Sequence, residues 1–317
     1  VSRAALPAVM LAAHLLGGCT AAAFVAAHAP SAFGPYERTA GIAYGAEPRQ
    51  RLDVYVPDAQ PAEPRPVIVF IHGGSWQTGS KDQYRFVGSG LAEKGYVSVV
   101  ASYRLNPEVR FPVFVADAAE AVAWTLRNIG RYGGDPRRVF VMGHSAGAHS
   151  AMLLALDRRY LAAAGASPDD LRGAIGLSGP YDFAIDSALL RSVFGSAPDP
   201  GDTQPVNFVR GDAPPLLLIH GTDDGICWVT HSIRLTELIR AAGGRADLRL
   251  YPGLGHGATV GGLSRLRRAA APTAREWGDE QLRRDPPAGP RGHAGGVRPA
   301  RLRGDHGQGG RGSGRCR

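Results

Sequence analysis

Short apolar runs separated by stretches of helical period fill the middle of the chain. Residues 52–56, Leu-Asp-Val-Tyr-Val, alternate as a half-buried strand does. Compact runs at 67–71, 96–101, 139–142, 174–177, 216–219 and 248–251 suit strands covered on both faces. Between them, 113–129, 146–156 and 229–242 carry apolar positions at helical spacing, with Ala119, Val122, Ala123 and Leu126 on one stripe. This alternation predicts an α/β fold, a mostly parallel central sheet with helices on both faces. In such sheets ligands bind beyond the carboxyl ends of the strands, so chemistry is sought in the loops that follow them.

The ends of the chain read differently. No charged residue occurs from Ala4 to Ala29, and Arg3 stands before the apolar run, the order of a secretory signal. Leu16-Gly17-Gly18-Cys19 follows at once and resembles a bacterial lipobox, which makes Cys19 the expected lipidation site and the cell envelope the expected location. An ordinary signal peptide cleaved near Ala29, or an uncleaved span, is the plainer reading. The net charge of +8 invites a nucleic-acid partner until it is located. Residues 1–261 hold 23 basic and 23 acidic side chains, and residues 262–317 hold 13 Arg against 5 acids. The excess therefore belongs to a tail with 12 Gly and 5 Pro that has little to bury, expected to be disordered or read out of frame. No nucleic-acid function is expected. The organisation is thus 1–29 as signal or anchor, 30–261 as the α/β domain and 262–317 as tail. Three cysteines among 317 residues exclude a disulfide scaffold.

Gly143-His144-Ser145-Ala146-Gly147 joins a predicted strand to a predicted helix. Glycines two before and two after the serine relieve the collisions of so sharp a turn, the pattern of a nucleophile elbow. His72-Gly73-Gly74-Ser75-Trp76 follows the 67–71 strand, and its adjacent glycines can point N–H groups at a developing oxyanion. Their expected partner is the N–H of Ala146. A serine needs a histidine to take its proton and an acid to orient that histidine. Among ten histidines, His256 stands in a glycine-rich loop after the last predicted strand. His231 falls on a predicted helix, His144 and His149 lie too near the serine in sequence, and His220 ends a strand, where a structural role is expected. The loop after 216–219 offers both Asp223 and Asp224 as the acid.

These segments together, HGGSW (72–76), SYRLNPEVRFP (102–112), GGDPRRVFVMGHSAGAH (133–149), LLLIHGTDD (216–224) and YPGLGHG (251–257), resemble α/β-hydrolase carboxylesterases of the BD-FAE and hormone-sensitive-lipase-like group. The resemblance implies the α/β-hydrolase fold with a small cap, here expected at 181–212 and lined by Phe183, Phe194 and Phe208. It implies ester hydrolysis by Ser145, His256 and Asp224 with Gly73, Gly74 and Ala146 as oxyanion donors, a small-molecule ester substrate, and no metal or organic cofactor. Asp223 then becomes a turn residue and Cys227 a packing thiol. HGGxW and SAGAH also resemble arylformamidases, which leaves an amide hydrolase as the alternative, and a non-catalytic binding protein as the reading from another class. The group usually ends in a helix packed on the sheet. Here 263–270 gives way to Pro272, so a loosened histidine loop is expected.

Overall fold

The computed structural model describes residues 34–59 and 63–264. Cys19 and the tail beyond Ser264 lie outside them. The elements run β1 (Tyr36–Ala43), β2 (Arg51–Pro57), β3 (Arg65–Ile71), α1 (Arg85–Ala92), β4 (Val97–Ala101), α2 (Val113–Asn128), β5 (Gly134–His144), α3 (Ala146–Leu156), α4 (Arg158–Ala163), β6 (Leu171–Leu177), α5 (Ala188–Phe194), β7 (Leu216–Gly221), α6 (Thr230–Ala241), β8 (Ala246–Tyr251) and α7 (Ala258–Gly261). Every predicted strand and helix is present. β1, α1, α4 and α5 were not expected, because short elements with mixed polarity leave little periodicity to read.

The eight strands form one sheet in the order β1-β2-β4-β3-β5-β6-β7-β8. β1 and β2 are antiparallel to their neighbours, and the pairs from β4 through β8 are parallel. Successive side chains of a strand enter opposite faces. Val67, Val69 and Ile71 join the core under α2, α3 and α6, whereas Ile68 and Phe70 join a second core with Phe86, Val87 and Leu91 of α1. This explains the unbroken apolar runs: both faces of the inner strands are covered.

The chain order reverses at β3. β3 leads leftward to β4, and β5 leads rightward to β6, so their carboxyl ends open a crevice between them. Ile71 pairs with Gly143, which sends residues 72–74 and 144–146 out of the sheet side by side. Gly221 pairs with Tyr251, which does the same for the loops carrying Asp224 and His256. All eleven residues of α3 are buried, so the helix behind Ser145 is held on every side.

The final-helix stretch beyond Ser264 lies outside the described residues, and a short helix precedes it. α7 begins two residues after His256, and Val260 and Leu263 are buried in the α1-side core. Packing of these two side chains ties down the histidine loop.

The loop after β4 is fixed by charge. Asp117 of α2, 1% exposed, accepts from the Arg104 N–H, Nε and a terminal guanidinium nitrogen at 2.7–2.9 Å, and from Gln50 Nε2 at 2.8 Å. Asp117→Ala would strand these donors. It is expected to cost about 3 kcal/mol, the low end for breaking a buried ion pair because Arg104 keeps some solvent contact. Urea denaturation of the variant against the parent measures this.

Candidate active site

Ser145 sits in a backbone conformation few L-residues adopt, φ 54° and ψ −121°. Such strain persists only where the surroundings impose it. Here a β-carbon on Gly143 would lie 2.1 Å from the Gly147 carbonyl oxygen, and one on Gly147 would lie 2.1 Å from that of Ile71 in β3. The Ser145 N–H donates to Leu177 O at 2.9 Å, pinning the turn to β6. The turn thereby lifts the hydroxyl clear of the sheet.

The structure brings Ser145, His256 and Asp224 together. Ser145 Oγ lies 2.9 Å from His256 Nε2, and His256 Nδ1 lies 2.9 Å from Asp224 Oδ2 and 3.1 Å from Oδ1. Asp224 Oδ1 also accepts the N–H groups of Ile226 and Cys227 at 3.0 and 2.9 Å. Burial alone would push this carboxyl up. The Cys227 N–H, His256 and the Ile226 N–H outweigh that effect and hold it below the usual carboxylate range. It is therefore ionised at neutral pH, needs Nδ1–H on His256, and so presents the bare Nε2 to the serine. Asp223 is exposed and its carboxylate accepts from the Thr222 hydroxyl, away from His256.

Gly73 touches the nucleophile: a β-carbon there would stand 3.1 Å from Ser145 Cβ. Gly74 has φ +126°, which glycine tolerates and other residues do not. The Gly73 N–H points to the Tyr84 hydroxyl, an acceptor that a developing oxyanion would have to displace. Ala146 is the first residue of α3, where N–H groups lack intrahelical partners and the helix dipole favours negative charge. Of the three sequence-predicted donors, Gly73 and Ala146 therefore flank Ser145, and Gly74 packs against Thr78.

The loop that carries these glycines is braced through Asn106. The Asn106 N–H donates to Trp76 O, Gln77 Nε2 donates to Asn106 Oδ1, and Asn106 Nδ2 donates to Ser192 O of α5. The segment at 181–212 folds as α5 and two short 3₁₀ turns. Its aromatic residues do not all line a pocket as expected. Phe194 is fully buried, edge-on to Trp76 at 4.8 Å between ring centres, and Phe208 lies under the Arg159 guanidinium. Phe183 and Phe208 both stay half-buried, and Phe183 lies beside Trp76 and His149. Packing against the α2 and α3 side of the core claims Phe194.

Sequence reasoning passed over two histidines that the fold sets against the triad. His144 Nε2 donates to the His256 carbonyl at 3.1 Å, and the Thr259 hydroxyl donates to that same oxygen at 3.1 Å. Burial, and then the neighbouring His256, lower His144 to about 3, so it stays neutral. His220 contacts Asp224 itself, with Nε2 3.2 Å from Oδ2. Each closes a β-strand of the sheet, and that terminal position was the signal available. Cys227 is buried as expected, and burial pushes its thiol up to about 12. No group of three or more His, Cys, Asp or Glu among the described residues could hold a metal ion.

Comparison with known proteins settles the lineage of this arrangement. The BD-FAE family model matches residues 52–239, more than half of the chain. The chain belongs to the BD-FAE family. The prolyl oligopeptidase family model also matches residues 199–282, the stretch that carries Asp224 and His256. A probable isoprenylcysteine α-carbonyl methylesterase of Oryza sativa is 32% identical over 68% of this chain and 57% of its own length. Esterase LipC of Mycobacterium tuberculosis is 31% identical over 68% of this chain and 59% of its own length. The chain thus spans little more than half of these relatives. Among solved structures, a tributyrin-phosphonate-inhibited esterase B of Lactobacillus rhamnosis superposes with TM-score 0.70 at 23% identity, covering 89% of this chain and 95% of the other. Esterase 2 of Thermogutta terrifontis, phosphoramylated by tabun, gives 0.61 at 26% identity over 79% and 94%. The BD-FAE chain has the α/β-hydrolase fold of these enzymes.

Proposed function

We propose that the protein is a serine carboxylesterase working through an acyl-enzyme. The observation that carries this reading is the unbroken line from Ser145 Oγ to His256 Nε2 and from His256 Nδ1 to Asp224, each link at 2.9 Å. As an ester carbonyl settles against Ser145, His256 Nε2 takes the hydroxyl proton while Oγ forms the bond to the carbonyl carbon. The carbonyl π electrons move onto oxygen, where the N–H groups of Gly73, Gly74 and Ala146 receive the negative charge. One such donor is worth about 3–4 kcal/mol in the transition state. Collapse breaks the bond to the alkoxy group, which leaves with the proton from His256. Water, deprotonated by His256, then releases the acid and restores Ser145. Asp224 stays ionised throughout and stabilises the transient imidazolium.

The esterase names carried by the relatives support an ester bond as the substrate, and half-buried Phe183 beside Trp76 supports an apolar acyl group. Purified protein is expected to hydrolyse p-nitrophenyl butyrate and acetate, to label with a fluorophosphonate, and to turn over N-formylkynurenine far more slowly. Faster hydrolysis of N-formylkynurenine would move the assignment to an amide hydrolase, and absence of labelling would make the site a binding fold.

The charge-free run 4–29 and Leu16-Gly17-Gly18-Cys19 support a lipid anchor on Cys19 and placement in the cell envelope. Incorporation of labelled palmitate that disappears in Cys19→Ser is the expected result, and no incorporation into the parent sinks it.

A further inference from the structure

His220 is fully buried at the end of β7 and takes no part in the reaction just described. Both its ring nitrogens are engaged. Nδ1 lies 2.7 Å from the hydroxyl of Ser232 on α6, and Nε2 lies 2.8 Å from the Cys227 carbonyl and 3.2 Å from Asp224 Oδ2. A carbonyl and a carboxylate only accept, so the proton must sit on Nε2 and be shared between them. Nδ1 is then an acceptor, which Ser232 satisfies by donating.

We propose that His220 is a positioning residue of the esterase, a neutral imidazole whose Nε2–H holds the Asp224 carboxylate in the rotamer that orients His256. It rests on the catalytic reading of the triad. The hold is double. His220 touches Oδ2 directly, and through the Cys227 carbonyl it fixes the same residue whose N–H donates to Oδ1. With Ile226 and Cys227 on Oδ1 and His220 on Oδ2, the carboxylate cannot turn about its Cβ–Cγ bond without losing a donor. Ser232 in turn chooses the tautomer: without its hydroxyl, a proton on Nδ1 would leave the Nε2 lone pair facing two oxygens.

Charge does not undo this arrangement. Burial lowers His220, outweighing the Cys227 carbonyl and Asp224, so the ring stays neutral. The other titratable groups that act on it are His256, His231 and His144, and burial lowers both His231 and His144.

The test uses His220→Leu, His220→Gln, whose amide N–H can stand near the position of Nε2, and Ser232→Ala. With p-nitrophenyl butyrate and rates normalised to fluorophosphonate-labelled sites, His220→Leu is expected to lower kcat about 10- to 100-fold, the scale of an ångström-level misplacement, with KM little changed. The acid limb of kcat/KM is expected to move up in pH, because a carboxylate relieved of one donor stabilises the imidazolium more strongly. His220→Gln should recover most of the rate, and Ser232→Ala should shift both readouts in the same direction by less. Independently of substrate, the downfield proton signal of His256 Nδ1–H should shift in His220→Leu and return in His220→Gln. Wild-type kcat per labelled site, acid limb and proton signal in His220→Leu would overturn the proposal. If that variant does not fold, the same wild-type behaviour in Ser232→Ala overturns it. A parent that neither labels nor hydrolyses esters refutes the esterase reading instead, and the proton signal still decides the placement of His220.

Discussion

Ser145→Ala is expected to lower kcat on p-nitrophenyl butyrate by about 10⁶-fold, down to the residue that oxyanion binding alone supports. The magnitude follows from the chain of contacts. His256 Nε2 faces Ser145 Oγ at 2.9 Å, and the Cys227 thiol is the other nucleophile beside that hydroxyl. The thiol of Cys227 cannot substitute, since burial holds it protonated with its pKa pushed up to about 12. The methyl group of alanine keeps the elbow backbone and every flanking contact, so the variant should fold and still bind substrate. Stopped assays at high enzyme concentration with active-site labelling as the control measure the drop. Residual activity within 100-fold of the parent would mean that another group attacks the ester.

Asp224→Asn should cost about 10⁴-fold in kcat with the fold intact, by the logic of a triad whose acid has become an amide. The carboxylate now accepts from the Cys227 and Ile226 N–H groups and from His256. The two backbone donors would take the amide oxygen, which turns its NH₂ towards His256. Nδ1 would then become the acceptor, and Nε2 would carry the proton and be unable to take one from Ser145. Asp223→Asn is the control. Its side chain is exposed and bonded to Thr222, so kcat should stay within about 3-fold of the parent, as for surface changes away from a site. Equal losses in both variants would refute Asp224 as the orienting acid.

The two acids show where sequence reasoning reaches its limit. Asp223 and Asp224 are neighbours in a turn with the same chemistry, and no periodicity separates them. Only resemblance favoured Asp224 beforehand, and the choice is made physically by which carboxylate meets the Ile226 and Cys227 N–H groups. His220 shows the same limit from the other side. At the end of a buried strand it read as a structural residue, because the contact with Asp224 depends on how the loop 222–229 folds back over β7. Phe194 and Phe208 were plausible pocket residues until packing put one in the core and the other under Arg159.

What the sequence by itself determined is whatever depends on local sterics and period. Apolar runs of strand length alternating with helical stripes establish the doubly covered parallel sheet. Gly143 and Gly147 can be read without coordinates, because the strand-to-helix turn at Ser145 has no room for two β-carbons. What only the tertiary structure decided is convergence across distance. The reversal of strand order at β3 sets the glycine loop beside the elbow, and the parallel pairing of β7 with β8 sets Asp224 beside His256. These groups lie 32 to 111 residues apart along the chain, and their spacing of 2.9 Å is fixed by sheet register and buried packing, to which local propensity is blind.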